Sequence, residues 1–482
     1  LKPLMQSHLQ HMESDLREAG FTGELLISSS MGGCMKAQSA IDAPINTTKS
    51  GPAMAPVAAE HYCKLEKFGG NAIVCDTGGT TFDVGLVRDG DIVFTRDTWI
   101  GGQYVGHIIA TSTVDIRSKG AGGGSIAWVD KGGLLQVGPH SAGSEPGPAC
   151  YGRGGTKPTV TDAAAVLGYL DPDKFSGGKM SLDVDAARAT MESIGNQLGK
   201  SIVETAWAIM KISDELMIKA IHEITVSEGF NPRDSAIVAG GGAAGLNIMP
   251  IAAELGIEKV VLPKMAGALS AVGMQYADII SEETGTRVTT TNDFDFDGVN
   301  SMLSDMKLRL DKFVAELEFS HKSTVKYTTH VEARYYGQVW EIDVSLPFDQ
   351  LKGKEDVERL ISAFHVAHER IYAVTDLDSD VECLNWKMRA AIMLDKSDET
   401  SDKSEKSKPN PPERTRQCYF GIDEEFKTPI YYGADLKQGM LVKGPAIIEE
   451  PTTTLVVYPN MAAEISDSGN YIIKVNADKK GL

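Results

Sequence analysis

Asp76-Thr77-Gly78-Gly79-Thr80-Thr81-Phe82-Asp83-Val84 follows the apolar run Ala72-Ile73-Val74-Cys75 and leads into Gly85-Leu86-Val87. That order predicts strand, tight glycine turn, strand. A second turn at Arg88-Asp89-Gly90-Asp91 then predicts a third short strand at Ile92-Val93-Phe94. In such a meander the first turn can face a phosphate. Gly78 and Gly79 let backbone N–H groups approach an anion, and Thr80 and Thr81 add hydroxyls. Asp76 and Asp83 stand at the two ends, placed to hold a hydrated magnesium ion or to orient a water. The same nine residues also fit an ordinary glycine hairpin with surface threonines, so the choice rests on the rest of the chain.

The chain has 482 residues, room for two or three domains each with its own core. Its 47 basic and 66 acidic residues leave a net charge of −19, which disfavours nucleic acid and anionic membrane surfaces as partners. The six cysteines form no C-x-x-C pair and no regular spacing, so neither a zinc knuckle nor a disulfide framework is expected, and a reducing cytoplasm is the simplest compartment. No apolar run reaches the ~18 residues a membrane span needs, and no signal peptide is visible.

Working outward from the turn, Leu4, Met5, Leu9, Met12 and Leu16 share a helical face that Gly20 stops, and 24–28 reads as a buried strand entering a serine and glycine loop. Ser50-Gly51-Pro52-Ala53 opens a helix to about Lys67. The glycine-dense stretch 99–160 carries Ile126, Trp128, Leu134, Leu135 and Val137 among its glycines, which favours a shaped loop layer over disorder. Residues 203–228 give the clearest amphipathic helix. Next come a strand at 236–239, the loop Gly240-Gly241-Gly242-Ala243-Ala244-Gly245 and a helix from Ile248 to Leu255. Strand, glycine turn and helix is an arrangement that lets backbone approach a ribose or phosphate. Gly177-Gly178-Lys179 is no P-loop, since Met180 follows the lysine, and 240–245 meets the dinucleotide glycine spacing only nominally.

Beyond about residue 290 the chain becomes more polar. A helix is expected at 296–318, strands at 325–335 and 339–346, then a helix at 355–372 with His365 and His368 three apart. Solvated structural histidines fit that pair better than a metal site, because Glu369 is the only adjacent carboxylate. Residues 395–412 read as a charged linker or loop, and 413–482 as a small β-rich domain.

The D-x-G-G-T turn and the later strand, G-G-G turn and helix together resemble the second half of the nucleotide cleft in the actin, Hsp70 and sugar-kinase superfamily, a ribonuclease H-like α/β fold. Ser50-Gly51-Pro52-Ala53, the run from Gly120 to Ala163, VAGGGAAG at 238–245, Arg334-Tyr335-Tyr336-Gly337-Gln338 and GPAIIEEPTTT at 444–454 are in turn similar to the hydantoinase A and oxoprolinase family, which includes acetone and acetophenone carboxylase subunits. The resemblance implies ATP and Mg2+ as cofactors. It implies Asp76 near magnesium and the attacking water, and Asp76, Thr81 and Asp83 as catalytic residues. Gly78, Gly79, Thr80 and Thr81 would hold phosphate, and Gly240, Gly241, Gly242 and Ala243 would border adenosine.

By the same resemblance residues 1–290 form the second lobe of the ATP-binding domain and 291–394 an α+β domain. Family members carry a first D-x-G-G-T loop near the N-terminus, and residues 1–70 contain none. With Leu1 as the first residue, the expectation is a truncated or disordered preceding segment and half a cleft. The implied activity is ATP-driven activation of a carbonyl oxygen, first as a ketone carboxylase subunit working with a hydantoinase B-type partner in a hetero-oligomer. The alternatives are a cyclic-amide hydrolase subunit of hydantoinase or oxoprolinase type, and a non-catalytic scaffold subunit.

Overall fold

A computed structural model describes residues 2–101, 105–109, 111–317, 324–394, 412 and 414–475. The charged stretch 395–412 lies outside the described residues apart from Pro412. The chain divides into two compact units, one of Lys49–Thr225, Asn231–Gln275 and Asp398–Leu482, the other of Leu1–Thr48, Val226–Phe230 and Tyr276–Ser397.

The first of these units is organised by a nine-stranded mixed sheet. Its strands run in the order Ile116–Lys119, Phe82–Arg88, Ala72–Thr77, Ala236–Gly240, Lys259–Leu262, Tyr471–Lys474, Ala462–Ile465 and Leu441–Lys443, and Asp91–Ile92 pairs with Phe82–Arg88 off that path. The three central strands, Ala72–Thr77, Ala236–Gly240 and Lys259–Leu262, are parallel, and each carries an unbroken apolar run, Ala72–Cys75, Ala236–Gly240 and Val260–Leu262. Strands covered on both faces need apolar residues at every position, which is why they read as runs rather than alternations. The helices Ser50–Leu65 and Ala244–Leu255 supply that cover, burying Met54, Val57, Leu246, Met249 and Ile251. A separate four-stranded sheet orders Thr415–Tyr419, Glu425–Tyr432, Ala446–Glu449 and Thr454–Val457.

The glycine-dense stretch is shaped, as its interleaved apolar residues suggested. Ser125–Val129 and Leu135–Ser141 form a hairpin, and the Trp128 indole donates to the Gly138 carbonyl at 2.8 Å. Behind it, the buried Asp162 carboxylate gathers the loop by accepting from the N–H groups of Cys150 at 2.7 Å and Thr159 at 2.9 Å, while Thr159 caps the helix Val160–Val166 in return.

The other unit holds a six-stranded sheet in the order Leu26–Ser28, Cys34–Lys36, Ile279–Thr290, Val381–Met393, Thr324–Tyr335 and Ile342–Leu346. The helices Phe296–Ala315 and Lys354–Tyr372 bury Leu303, Met306, Leu360 and Phe364 with Trp386 and Met388 of the sheet. Side chains alternate along a strand, so Lys387 projects to the opposite face. There its ammonium lies 2.7 Å from Glu332 and 2.9 Å from Asp343, with the His330 Nδ1 at 2.8 Å from the other Asp343 oxygen.

The compact units cut across the boundaries expected from composition. Residues 1–48 belong with the 276–397 stretch because Cys34 pairs in parallel with Ile279, extending that sheet. Nor do residues 413–482 stand as a β-domain of their own: Val260, Val261 and Leu262 pair antiparallel with Ile473, Ile472 and Tyr471. His368 is also not solvated. It is 2% exposed, packs on Tyr335 with ring centroids 4.6 Å apart, and donates from Nδ1 to the Val374 carbonyl at 2.8 Å. No group of three or more His, Cys, Asp or Glu residues able to hold a metal occurs among the described residues.

Candidate functional site

The turn between Ala72–Thr77 and Phe82–Arg88 closes with Gly78 N–H donating to the Thr81 carbonyl at 2.9 Å. Antiparallel register puts Asp76 directly opposite Asp83 and Thr77 opposite Phe82. The two carboxylates therefore stand side by side below the turn, with the Thr81 hydroxyl donating to Asp83 at 3.3 Å. Gly79 and Thr80 are exposed at the tip, and among the described residues their N–H groups have no intramolecular partner. A Cβ built on Gly79 meets nothing within 4 Å, so the fold itself does not require glycine there. What the missing side chain leaves is an open approach to backbone N–H groups, the feature an anion uses.

The parallel neighbour brings the second glycine loop to the same place. Gly240 is in register with Asp76, so both loops leave the carboxyl ends of adjacent parallel strands, the usual location of ligands in α/β sheets. Gly241 adopts φ +92°, and a Cβ there would lie 2.1 Å from the Thr77 carbonyl and 2.6 Å from an Asp76 oxygen, so only glycine fits. Ala243 N–H donates to the same Thr77 carbonyl at 3.1 Å. The helix after this loop begins at Ala244, four residues before the expected start at Ile248, and its first turn consequently lies against the loop. Asp76, Gly78, Gly79, Thr80, Thr81, Asp83, Gly240, Gly241, Gly242 and Ala243 are thus brought together on one sheet edge.

A third segment braces the turn from behind. Gly123 N–H donates to Gly78 O at 3.0 Å and Gly124 N–H to Gly79 O at 2.5 Å. The Thr161 hydroxyl anchors Gly123 O at 2.8 Å. A Cβ on Gly122 would come within 2.7 Å of the Thr80 and Thr81 backbone. Gly122, Gly123 and Gly124 are therefore explained by close backbone approach to the turn, and Gly120 by close approach to Pro139.

Burial pushes the Asp76 carboxyl up to about 6; the adjacent Asp83 charge adds to this and the Ser270 hydroxyl, 3.4 Å away, opposes it. Burial also raises Asp83, against the pull of Ser118, Thr81 and the Lys49 ammonium. One oxygen of Asp83, Oδ1, is buried without a hydrogen-bond partner. Two hard carboxylates, one with an unused oxygen, suit magnesium, which takes one or two protein carboxylates and keeps several waters. Sequence reasoning passed over four neighbours. Ser270 lies in the small-residue run 267–273, well beyond the second glycine loop, and Lys49 stands just before the Ser50-Gly51-Pro52-Ala53 motif without being part of it. Thr452 crowds Gly267, and the Thr453 hydroxyl donates to Gly242 O at 3.1 Å. This Pro451-Thr452-Thr453-Thr454 segment had been visible as a family motif without a location.

Two glycine loops at the carboxyl ends of neighbouring parallel strands, set over an acidic pair, define an α/β protein with a loop-built site open to an anionic ligand. The Hydantoinase/oxoprolinase family model matches residues 1–283, and the Hydantoinase/oxoprolinase C-terminal domain model matches residues 300–470. The chain belongs to the hydantoinase/oxoprolinase family. It is 32% identical over 477 residues to the caprolactamase subunit alpha of Pseudomonas jessenii, covering 98% of this chain and 68% of that one. The crystal structure of the ATP-dependent caprolactamase from that organism superposes with a TM-score of 0.87 at 31% identity, over 98% of this chain and 68% of that one. The acetophenone carboxylase gamma subunit of Aromatoleum aromaticum is 29% identical, over 98% of this chain and 65% of that one. The chain spans about two thirds of the length of these relatives.

Proposed function

We propose that this chain is the ATP-binding, carbonyl-activating subunit of an ATP-dependent cyclic-amide hydrolase. The observation that carries the reading is the placement of Asp76 and Asp83 side by side under an N–H-lined glycine turn, next to the Gly240–Ala243 loop. Likeness to a caprolactamase subunit across nearly the whole chain puts the hydrolase ahead of the carboxylase expected first.

ATP, when bound, supplies the phosphoryl group that turns a poor carbonyl leaving oxygen into a good one. The exposed N–H groups of Gly79 and Thr80 hold and orient the terminal phosphates, while the Thr81 hydroxyl steadies Asp83 beneath them. Gly240, Gly241, Gly242 and Ala243 give the adenosine a close, side-chain-free border. Asp83, through its unpaired oxygen, and Asp76 are the residues that would hold hydrated magnesium, whose charge offsets that of the phosphates. Asp76, ionised above about pH 6, accepts a proton or orients a water. Ser270 and Lys49 keep the two carboxylates in place.

Relatives named as alpha and gamma subunits support a hetero-oligomer, here with a hydantoinase B-type partner that completes the catalyst. The decisive assay supplies the purified complex with ATP and either ε-caprolactam or 5-oxoproline, and follows phosphate and ring-opened amino acid together. Stoichiometric release of both supports the hydrolase. Incorporation of labelled bicarbonate into acetophenone or acetone, with lactams untouched, would replace it by the carboxylase, which the acetophenone carboxylase relative favours.

A further inference from the structure

The unit that lacks the glycine loops carries a built surface of its own. The turn after the strand Thr324–Tyr335 and the segment after the helix Lys354–Tyr372 meet around a cavity of about 300 Å³. Tyr336, Val339 and Trp340 on the first segment are 71, 70 and 75% exposed, and Tyr372, Val374 and Leu377 on the second are also exposed. Large apolar side chains scattered singly over a surface need no explanation, but Tyr336 and Val374 on the cavity wall, with four more exposed on the same two segments, do.

The two segments are stitched together by hydrogen bonds. The Tyr335 hydroxyl accepts from Asp376 N–H at 2.8 Å, Tyr336 N–H donates to Asp380 O at 2.8 Å, and Gly337, at φ +86°, makes the turn between them. Below, buried His368 donates to the Val374 carbonyl at 2.8 Å, and its other nitrogen lies 3.4 Å from the Gln338 amide. Segments already stitched in this way lose little freedom on binding.

Its exposed charge is mainly acidic; the Arg334 guanidinium, which donates to the Val339 carbonyl at 3.2 Å, is paired with Glu382 at 2.8 Å. Glu341, Asp376 and Asp378 are exposed around the aromatics, and 335–341 and 372–381 contain no Lys or Arg. Tyr and Trp are also the side chains that dominate protein interfaces, with Arg their commonest charged companion.

We infer that this aromatic, acid-rimmed surface docks the partner subunit through an apolar face carrying basic residues, with Tyr336 and Trp340 as anchors and one partner side chain seated in the cavity. The inference rests on the hetero-oligomeric reading above and gives it a location.

The test begins with the full chain, tagged, and the companion subunit that co-purifies with it, identified by peptide mass and then produced separately. Adding the companion should slow amide exchange at 335–341 and 372–381 at least tenfold. The Tyr336→Ser/Trp340→Ser double variant should weaken assembly at least 100-fold, and Asp376→Lys should weaken it further and reduce its salt dependence. Both anchors are exposed, and an unchanged melting temperature and nucleotide affinity of the isolated variant will establish that it folds. Assembly with unchanged exchange on this surface and full affinity in the double variant overturns the docking site but leaves the hetero-oligomer intact. Protection already present in the isolated chain, from a second copy of itself, also overturns it. Failure to isolate any companion removes the hetero-oligomeric reading as well.

Discussion

Asp76 bears two opposed demands. Holding its carboxyl at about 6 means that at neutral pH the folded state carries an ionised group it would rather protonate, in exchange for a base poised near physiological pH. The sign follows from linkage. A carboxyl whose folded pKa lies above its unfolded one destabilises the fold above that value and stops doing so as pH falls through it. Asp76→Asn should therefore raise the melting temperature at pH 7.5, by an amount worth about 1–2 kcal/mol after allowing for partial solvent screening. ATP turnover should meanwhile fall by about 100-fold or more. Melting curves and a coupled phosphate assay on the same preparations test this; a variant that keeps the wild-type rate removes Asp76 from the mechanism. This residue was legible from sequence because D-x-G-G-T between two strands is a local signal. Ser270, almost 200 residues on, was not, since only the parallel pairing of Ala72–Thr77 with Ala236–Gly240 brings its segment near.

At the scale of elements, the glycine run at 122–124 works as a backbone splint. Gly122→Ala would force a methyl against the Thr80 and Thr81 backbone at 2.7 Å, so the turn itself must move. The expected outcome is a rise of at least tenfold in the ATP concentration needed for half-maximal rate. Gly51→Ala, with nothing within 4 Å, should change neither rate nor affinity, and titrating ATP in both variants separates the two cases. In the other unit, Lys387 sits 8% exposed between Glu332 and Asp343. Lys387→Met takes the ammonium from buried Glu332, leaving it the Asn385 amide, and leaves Asp343 with His330; it should cost about 3–5 kcal/mol in urea unfolding. His330 and Lys387 together hold Asp343 well below the usual carboxylate range. Its contribution to stability is therefore present above the ordinary aspartate pKa and is lost as pH falls below that range toward the depressed folded value. Element positions were largely readable from periodicity, including Ala236–Gly240 and the long helix Ile202–Ser227. The start of Ala244–Leu255 was misplaced because Ala244 and Gly245 carry no helical pattern and are fixed by packing on Thr454.

For the whole molecule, the two units are woven rather than strung, each drawing on separated stretches of chain. Composition drops at 290 and 395 and therefore suggests cuts there, but strand pairing ignores composition and joins 34 to 279 and 262 to 471. No described helix is long and apolar enough to cross a membrane. Removing residues 413–482 should leave Lys259–Leu262 as a bare sheet edge and strip Thr452 and Thr453 from the glycine loops. Such a chain is expected to aggregate and to show no cooperative melt; a soluble, cooperatively melting fragment would mean that the central sheet closes without these strands.

That pairing sets a timetable as well as a shape. Leu262 leaves the ribosome roughly two hundred residues before Tyr471, its partner, which at 5–20 residues per second is a delay of about 10–40 seconds. Throughout that interval the site loops can be in place while the sheet beside them waits for its neighbour, so the yield of active protein depends on what shelters the nascent chain.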